Sequence, residues 1–155
     1  MLKIETGKDN EILRTVAPEV KTAELNEAIK LGKEMLKYIK NPKNGGVGLA
    51  APQVGFSTRV IIVSLLKNRE DDSFKTIIMI NPEIIEHSEN MLIDEEGCLS
   101  LPGQKGKVKR YESIKVNYID EKKSKKTLVL SGLSARIVQH EIDHLNGILF
   151  IDYLT

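Results

Sequence analysis

The chain has 155 residues, 41% of them hydrophobic and 29% charged, which is an ordinary composition for a globular domain. A formal net charge of +1 predicts no strong attraction to nucleic acid or to a membrane surface, and no apolar run approaches the roughly 20 residues of a membrane span. With one cysteine and no signal-peptide core, we expect a single domain over residues 1–155, without an intramolecular disulfide, in a reducing, cytoplasmic setting.

The first half of the chain predicts one amphipathic helix from Thr22 to about Lys40. Thr22 is the predicted N-cap, and four apolar residues follow at helical spacing: Leu25, Ile29, Leu36 and Ile39. Turn residues at 41–46 end it. Residues 47–55 are rich in small side chains, which indicates a strand edge or loop that a ligand or another backbone approaches closely.

Short runs rich in β-branched residues predict a series of strands. They lie at 59–65, 76–80, 83–88, 107–110, 113–119 and 127–130, with Asn81-Pro82 stopping the second run. The charged residues 120–126 separate the last two runs and predict a hairpin turn.

A second helix is predicted from Ser131, as its N-cap, to about Asn146, with Gly147 as its C-cap. Three residues give it an apolar flank: Leu133, Ile137 and Leu145. The apolar residues 148–151 are expected to pack back on the sheet. We therefore predict an α+β fold, in which antiparallel or mixed sheets surround a central C-terminal helix and one amphipathic helix lies near the N-terminus.

The second helix carries Gln139-His140-Glu141-Ile142-Asp143-His144. Residues four apart lie on one helix face, so His140 and His144 are able to reach one metal ion. Glu141 is offset by one residue and is placed to act as a general base on water. Pairs of histidines at this spacing around a glutamate are typical of catalytic metal sites, whereas His87 has no such partner and is interpreted as a surface residue.

A catalytic metal site needs a third protein ligand. A glutamate is one candidate, as in zinc peptidases with the same helix motif. The better candidate is Cys98, the one thiol, because Gly97 lets the backbone pass close to the ion and a thiolate is a soft ligand. A buried cysteine without any metal is the alternative.

Together, three segments of the chain resemble the signature motifs of the bacterial-type peptide deformylases, in the same order. They are the glycine-rich Gly46-Val47-Gly48-Leu49-Ala50-Ala51-Pro52-Gln53, then Glu96-Gly97-Cys98-Leu99-Ser100, then 139–144. The resemblance implies an enzyme that hydrolyses the formyl group from the N-terminal formylmethionine of new polypeptides, with release of formate. N-formylmethionyl nascent peptides would then be its partners.

The resemblance also implies roles for individual residues. One divalent ion, natively Fe²⁺ and replaceable by Zn²⁺, Ni²⁺ or Co²⁺, is expected on Cys98, His140 and His144. Glu141 is the expected general acid/base, and the Gln53 amide and the Leu99 backbone N–H are expected to stabilise the oxyanion.

The substrate peptide is expected to pair with the backbone at Gly48. The methionine side chain needs an apolar pocket, for which Val47, Leu133 and Ile137 are candidates; all three are also credible as plain core residues. Many relatives have an arginine where this chain has Lys105, so contact with the peptide is expected to be weaker there.

Further expectations concern the surroundings of the site. In the family Glu96 pairs with an arginine, here Arg110, which would orient the cysteine loop, so Arg110→Ala is expected to weaken metal binding. Asp143 would orient a histidine, cap a strand or face solvent. Several relatives continue beyond the end of this sequence into an extension that docks on the ribosome, so any transient ribosome association is expected without it. We expect a monomer.

Two other classes of protein are compatible with the helix motif. A zinc peptidase predicts a glutamate or histidine ligand downstream of His144, where Asp152 is the acid that remains. A binding module that keeps the metal but has lost catalysis is disfavoured by the presence of Glu141 and Gln53.

Overall fold

The computed structural model describes residues 2–154 and has two antiparallel sheets and three α-helices. The helices are α1 (Glu11–Arg14), α2 (Leu25–Lys40) and α3 (Gly132–Leu145). The strands are β1 (Gly48–Ala50), β2 (Val60–Ser64), β3 (Thr76–His87), β4 (Met91–Gly97), β5 (Lys105–Tyr111), β6 (Ser113–Ile119) and β7 (Lys125–Ser131). Short 3-10 turns lie at Thr22–Glu24, Ala51–Val54 and Phe150–Tyr153. The predicted α+β class, with antiparallel sheets and a C-terminal helix, is confirmed.

The larger sheet has the strand order β1-β2-β3-β6-β7 and is covered by helices on both faces. Because side chains alternate along a strand, β2 supplies both cores. Ile61 and Val63 pack with residues of α3, whereas Val60 and Ile62 pack with residues of α2. Strand β2 is therefore buried throughout, and it packs against both long helices.

The smaller sheet is the hairpin of β4 and β5, which lies against α3. Leu101 and Val108 pack with Leu149 and Phe150 in a separate cluster of buried apolar residues. The predicted packing of the apolar residues 148–151 on a sheet is thus observed, and the sheet is this hairpin. It carries the cysteine segment to the second half of α3.

The ends of the two long helices differ from the prediction in some details. Thr22 does not cap α2: it begins a 3-10 turn, and the α-helix starts at Leu25. Ser131 occupies the N-cap position of α3, but among the described residues its side chain finds no backbone N–H to accept from. Asn146, not Gly147, is the C-cap of α3. Gly147 follows with φ +73°, and a β-carbon there would meet the Arg14 carbonyl oxygen at 2.5 Å.

The two strands predicted on either side of Asn81-Pro82 form one strand, β3, with a shifted register at that point. Pro82 has no N–H for the ladder, so the strand bulges there instead of ending. Asn81 adopts a left-handed φ of 52°, and its side chain donates to the Val20 carbonyl at 2.9 Å and accepts from the Val20 N–H at 2.8 Å. These bonds stabilise the bulge.

Strand β4 and the short helix α1 lie outside the predicted elements. In β4, Leu92 and Ile93 are exposed and acidic residues follow, so the strand lacks the alternation that identifies a half-buried strand. The predicted hairpin turn joins β6 to β7, where Asp120 accepts from the Lys122 and Ser124 N–H groups. Within residues 2–154 there is no helix with the length and apolar character of a membrane span.

Candidate metal centre

Three potential metal ligands converge in the space between the β4–β5 hairpin and α3. Cys98 follows β4 directly, while His140 and His144 lie one helical turn apart in α3. One ligand atom from each of the three lies within 4.8 Å of the others. Across the described part of the chain, this is the one cluster of His, Cys and acidic residues that satisfies this distance. The third member is the cysteine, so a glutamate is not needed as a ligand.

The donor set and its spacing fit one divalent ion. The Cys98 Sγ lies 3.3 Å from His144 Nε2. Two ligands of a tetrahedral ion, with metal–sulfur and metal–nitrogen bonds of about 2.3 and 2.0 Å, are separated by about 3.5 Å. A thiolate with two imidazoles suits iron, zinc or another late transition metal rather than calcium or magnesium. The three residues present are therefore compatible with a bound transition metal.

The two histidines differ in protonation. Burial alone lowers the pKa of His140, but hydrogen bonds with Cys98 and Glu96 outweigh it and raise that pKa to about 10. Burial and the nearby His140 hold the pKa of His144 well below its ordinary value, so its ring is neutral. A metal ion must therefore displace a proton from His140, whereas His144 offers a lone pair directly.

A buried network of charges holds His140. The Glu96 carboxylate accepts from Arg110 Nε at 2.9 Å, from Arg110 Nη2 at 2.8 Å and from Arg136 Nη1 at 2.7 Å, and its Oε1 lies 2.8 Å from His140 Nδ1. Burial alone would raise the pKa of Glu96, but the hydrogen bonds from Arg110 and His140 hold it well below the usual range. Glu96 is consequently an anion that orients the His140 ring, leaving Nε2 toward Cys98 and His144.

The network continues to the C-terminal turn. Arg110 Nη1 donates to Asp143 Oδ2 at 2.5 Å, and the Tyr153 hydroxyl donates to the same oxygen at 2.8 Å. The Tyr153 ring lies 4.9 Å from the Arg110 guanidinium carbon, in a cation–π contact. Asp143 therefore acts on Arg110 and not directly on a histidine. This arrangement joins α3, β5 and the turn at 150–153.

The Gln53 side chain is buried and points toward the cysteine segment. Its Oε1 accepts from the Ala50 N–H at 2.9 Å, while its Nε2 donates to Ser100 Oγ at 3.1 Å and lies 3.5 Å from Cys98 Sγ. The 3-10 turn after β1 places this amide at the cluster of ligands. Leu99 follows Cys98 and lines the same cavity.

Glu141 is buried beside β1. Burial raises its pKa to about 7, and the charge of Glu96 adds to that effect against the opposing charge of His140. The Glu141 Oε1 and the His144 Nδ1 are buried without a hydrogen-bond partner among the described residues. A carboxyl group with a pKa near neutrality and an unsatisfied oxygen is suited to accept and to return a proton.

A cavity of about 350 Å³ opens onto these groups. It brings together the predicted ligands Cys98 and His140, the predicted acid/base Glu141, and the following residues that were predicted to contact substrate or stabilise charge: Val47, Gly48, Gln53, Leu99, Leu133 and Ile137. Val47 is exposed, Leu133 is half-buried and Ile137 is buried. The lining combines the apolar Leu133 and Ile137 of α3 with polar and charged residues, among them the exposed Lys105.

Two residues at the site were given no role by the sequence analysis, although Ser100 lies within the second motif. Arg136 bonds Glu96, and Ser100 accepts from Gln53. Arg136 had a usable signal: it is a charged residue on the apolar flank of α3, four residues before His140 and hence on the same helix face. His87, predicted to lie at the surface, is exposed and stacks on Tyr111 with ring centroids 3.7 Å apart.

Comparison with known proteins gives one consistent family. The polypeptide deformylase family model matches residues 1–155. The peptide deformylase of Prochlorococcus marinus (strain NATL1A) is 46% identical over 147 residues, which cover 94% of this chain and 70% of that protein.

Solved structures agree with the sequence match. A probable peptide deformylase from Synechococcus phage S-SSM7 superposes with a TM-score of 0.86 at 43% identity, over 99% of this chain and all (100%) of the other. The class I type b peptide deformylase of Acinetobacter baumannii, in a crystal structure with Met-Ala-Ser bound, gives a TM-score of 0.83 at 39% identity, over 99% and 98% of the two chains. The chain therefore belongs to the peptide deformylase family, whose members are hydrolases.

Proposed function

We propose that this chain removes the formyl group from the N-terminal formylmethionine of nascent peptides and releases formate. The observation that carries the proposal is the convergence of Cys98, His140 and His144 beside Glu141, in one cavity next to β1. Met-Ala-Ser, the peptide bound to the Acinetobacter baumannii relative, has the form of a deformylated product. We propose that residues 1–155 act as one catalytic domain, as a monomer in the cytoplasm where nascent chains emerge, with any ribosome contact transient.

Cys98, His140 and His144 would hold the metal. When bound, a divalent ion acidifies water from a pKa of about 15.7 toward 7 and polarises the formyl carbonyl. We propose Fe²⁺ as the native ion and Zn²⁺, Ni²⁺ or Co²⁺ as substitutes, because the thiolate and imidazole donors suit all of them. Metal analysis of protein purified without oxygen tests whether Fe²⁺ is the native ion.

Glu141 would act as the general acid/base. Its carboxylate takes a proton from the attacking water and later gives it to the amine of the leaving peptide. A pKa raised to about 7 by burial keeps both protonation states accessible near neutral pH. Because Glu141 is offset by one residue from His140, it lies beside the two histidines and does not occupy a ligand position.

The developing negative charge on the formyl oxygen needs fixed donors. Gln53 Nε2, which lies 3.5 Å from the Cys98 sulfur, and the backbone N–H of Leu99 would supply them. The Ala50 N–H and Ser100 Oγ bonds restrain the Gln53 amide before any substrate arrives. Such preorganisation avoids reorientation during the reaction.

The peptide would bind as an added strand at β1, an end strand of the larger sheet whose residues 47 and 48 line the cavity. This mode recognises backbone, so it accepts many N-terminal sequences. The methionine side chain would enter the apolar part of the cavity, between Val47 on one side and Leu133 and Ile137 of α3 on the other. Glu96 and Arg110 would orient His140 from behind.

The decisive experiment is formate release from formyl-Met-Ala-Ser by iron-loaded protein kept free of oxygen. Wild type should turn over, and Glu141→Gln should keep its metal but lose activity by several orders of magnitude. Glu95→Gln is the matched control, because Glu95 lines the same cavity but is exposed. Substantial activity in Glu141→Gln refutes its role, and an inactive, metal-loaded wild type refutes the proposed reaction.

A further inference from the structure

Arg136 is a buried cation whose hydrogen bonds all reach outside its own helix. The residue is 6% exposed. Its Nη1 donates to Glu96 Oε2 at 2.7 Å and to the Val108 carbonyl at 2.9 Å, and its Nη2 donates to the Leu92 carbonyl at 2.8 Å. One guanidinium in α3 thus binds both strands of the β4–β5 hairpin.

The hairpin determines where the cysteine lies. Cys98 follows the last residue of β4, and Glu96 lies two residues before it. Arg110 ties the same hairpin to α3 at another point, through Asp143. The Arg136 side chain bonds the Leu92 and Val108 carbonyls, whereas the Arg110 side chain bonds Glu96 and Asp143, so the two arginines hold the hairpin against α3 through different groups.

We infer that Arg136 is a positioning residue that sets the distance between Cys98 and the two histidines of α3. The inference rests on the proposed ligand set. Without the Arg136 fork, the hairpin keeps its Arg110 tether but is free to tilt, and the sulfur moves relative to the imidazoles. The Glu96 carboxylate also loses one of its two buried cationic partners, which weakens its hold on His140.

The charge and the fork geometry of Arg136 are separable. Arg136→Met keeps an aliphatic stem of similar length but removes both the charge and the donors. Arg136→Lys keeps the cation but lacks the planar fork that reaches three acceptors on two strands. If positioning is what matters, lysine restores only part of the metal binding that methionine loses.

The test measures Co²⁺ binding to metal-free protein by competition with a chelator, together with the visible spectrum, in which the thiolate-to-Co²⁺ band reports sulfur ligation. Arg136→Met should weaken the Co²⁺ dissociation constant by about 10–100-fold and shift or reduce the thiolate band. The Co²⁺ dissociation constant of Arg136→Lys should lie between those of Arg136→Met and wild type.

Arg59 provides the matched control. It donates to the Leu145 carbonyl, to Asn146 Oδ1 and to the Ala17 carbonyl, each at 3.1 Å, and so holds the C-terminal end of α3 through bonds that do not involve the β4–β5 hairpin. Arg59→Met should lower the melting temperature yet leave the Co²⁺ constant and spectrum of wild type unchanged. A purely structural role for Arg136 predicts that both methionine variants behave alike.

The inference is overturned if Arg136→Met binds Co²⁺ within about threefold of wild type with the same thiolate band. If Arg136→Met does not fold, Arg136→Lys decides: wild-type affinity and spectrum in that variant overturn the inference, and a weaker constant with an altered band supports it. A missing thiolate band in wild type would refute Cys98 as a ligand, which is a separate failure of the proposed metal site.

Discussion

The Glu141 Oε2 lies 2.6 Å from the point where a β-carbon on residue 48 would sit. Only glycine at position 48 therefore lets the carboxylate occupy its place against β1. Gly48 has a second constraint, because it belongs to the strand proposed to pair with substrate. The glycine in the first motif and the glutamate in the third are thus linked by direct contact.

This contact predicts the effect of Gly48→Ala. The methyl group must push the Glu141 carboxylate away from its position, so we expect kcat to fall by roughly 10–100-fold, in line with the loss of a positioned acid/base. Metal content should stay near that of wild type, because the ligands are not contacted. Gly97→Ala is the control: the added carbon meets its nearest atom, the Gln104 carbonyl oxygen, at an ordinary 3.6 Å. Equal losses in both variants would contradict the steric explanation.

Removal of the Gln53 amide should slow turnover more than it weakens substrate binding. An oxyanion-hole donor contributes about 3 kcal/mol in the transition state, so Gln53→Ala is expected to reduce kcat by about 10²–10³-fold with a small change in KM. Ser100→Ala deletes the partner of the amide and leaves the amide itself. That variant should lose far less; a loss as large as that of Gln53→Ala would make Gln53 a structural residue.

The contribution of Glu141 to the stability of the metal-free protein should fall as pH rises from about 4.5 to about 7. In the unfolded chain Glu141 loses its proton near 4.5, whereas burial raises the folded pKa to about 7. At Glu141 the folded state holds more protons in this window, so the contribution of this group to the free energy of unfolding falls as pH rises, by up to about 3 kcal/mol. Denaturant unfolding of chelator-treated wild type and Glu141→Gln checks this: the advantage of the variant should grow across the window, and parallel curves would contradict it.

Leu133 should contribute to methionine selectivity. It is half-buried and lines the cavity, so Leu133→Ala removes pocket contacts worth about 1–3 kcal/mol and is expected to lower kcat/KM for formylmethionyl peptides by about 10–200-fold. Ile142→Ala is the control, since Ile142 is buried on the same helix among core residues. It should lower the melting temperature and preserve kcat/KM well below that temperature. The reverse pattern would assign Leu133 to the core alone.

Much of this fold follows from local pattern. The spacing of His140 and His144 indicates α3 and its inner face, and the β-branched run at 60–64 indicates the buried strand β2. Pro82 shows the limit of such reasoning: it lacks an N–H, which usually ends a strand, but distant bonds from Asn81 to Val20 stabilise a bulge instead. Strand β4 was missed because Leu92 and Ile93 are consecutive and both exposed, so the strand shows no alternation of apolar and polar residues.

The site was predictable to the extent that it is contained in contiguous motifs. Cys98 and the α3 histidines are far apart in sequence, but the three motifs together predicted that they form one site. The role of Arg136 was not identified because its acceptors are the main-chain carbonyls of Leu92 and Val108, on two strands distant in sequence. Long-range backbone contacts of this kind leave no local signal at the acceptor residues, so only the position of Arg136 on the helix face of His140 pointed to a role.

The brevity of β1 has a consequence for the catalytic cycle. A strand of three residues, already paired to β2 on one side, has only a few N–H and C=O groups on its other side for a substrate peptide. Each such bond would contribute about 1 kcal/mol in water, so a peptide bound there as proposed would be held loosely. Quick departure of the processed chain is what an enzyme needs when it must serve every polypeptide that a cell begins.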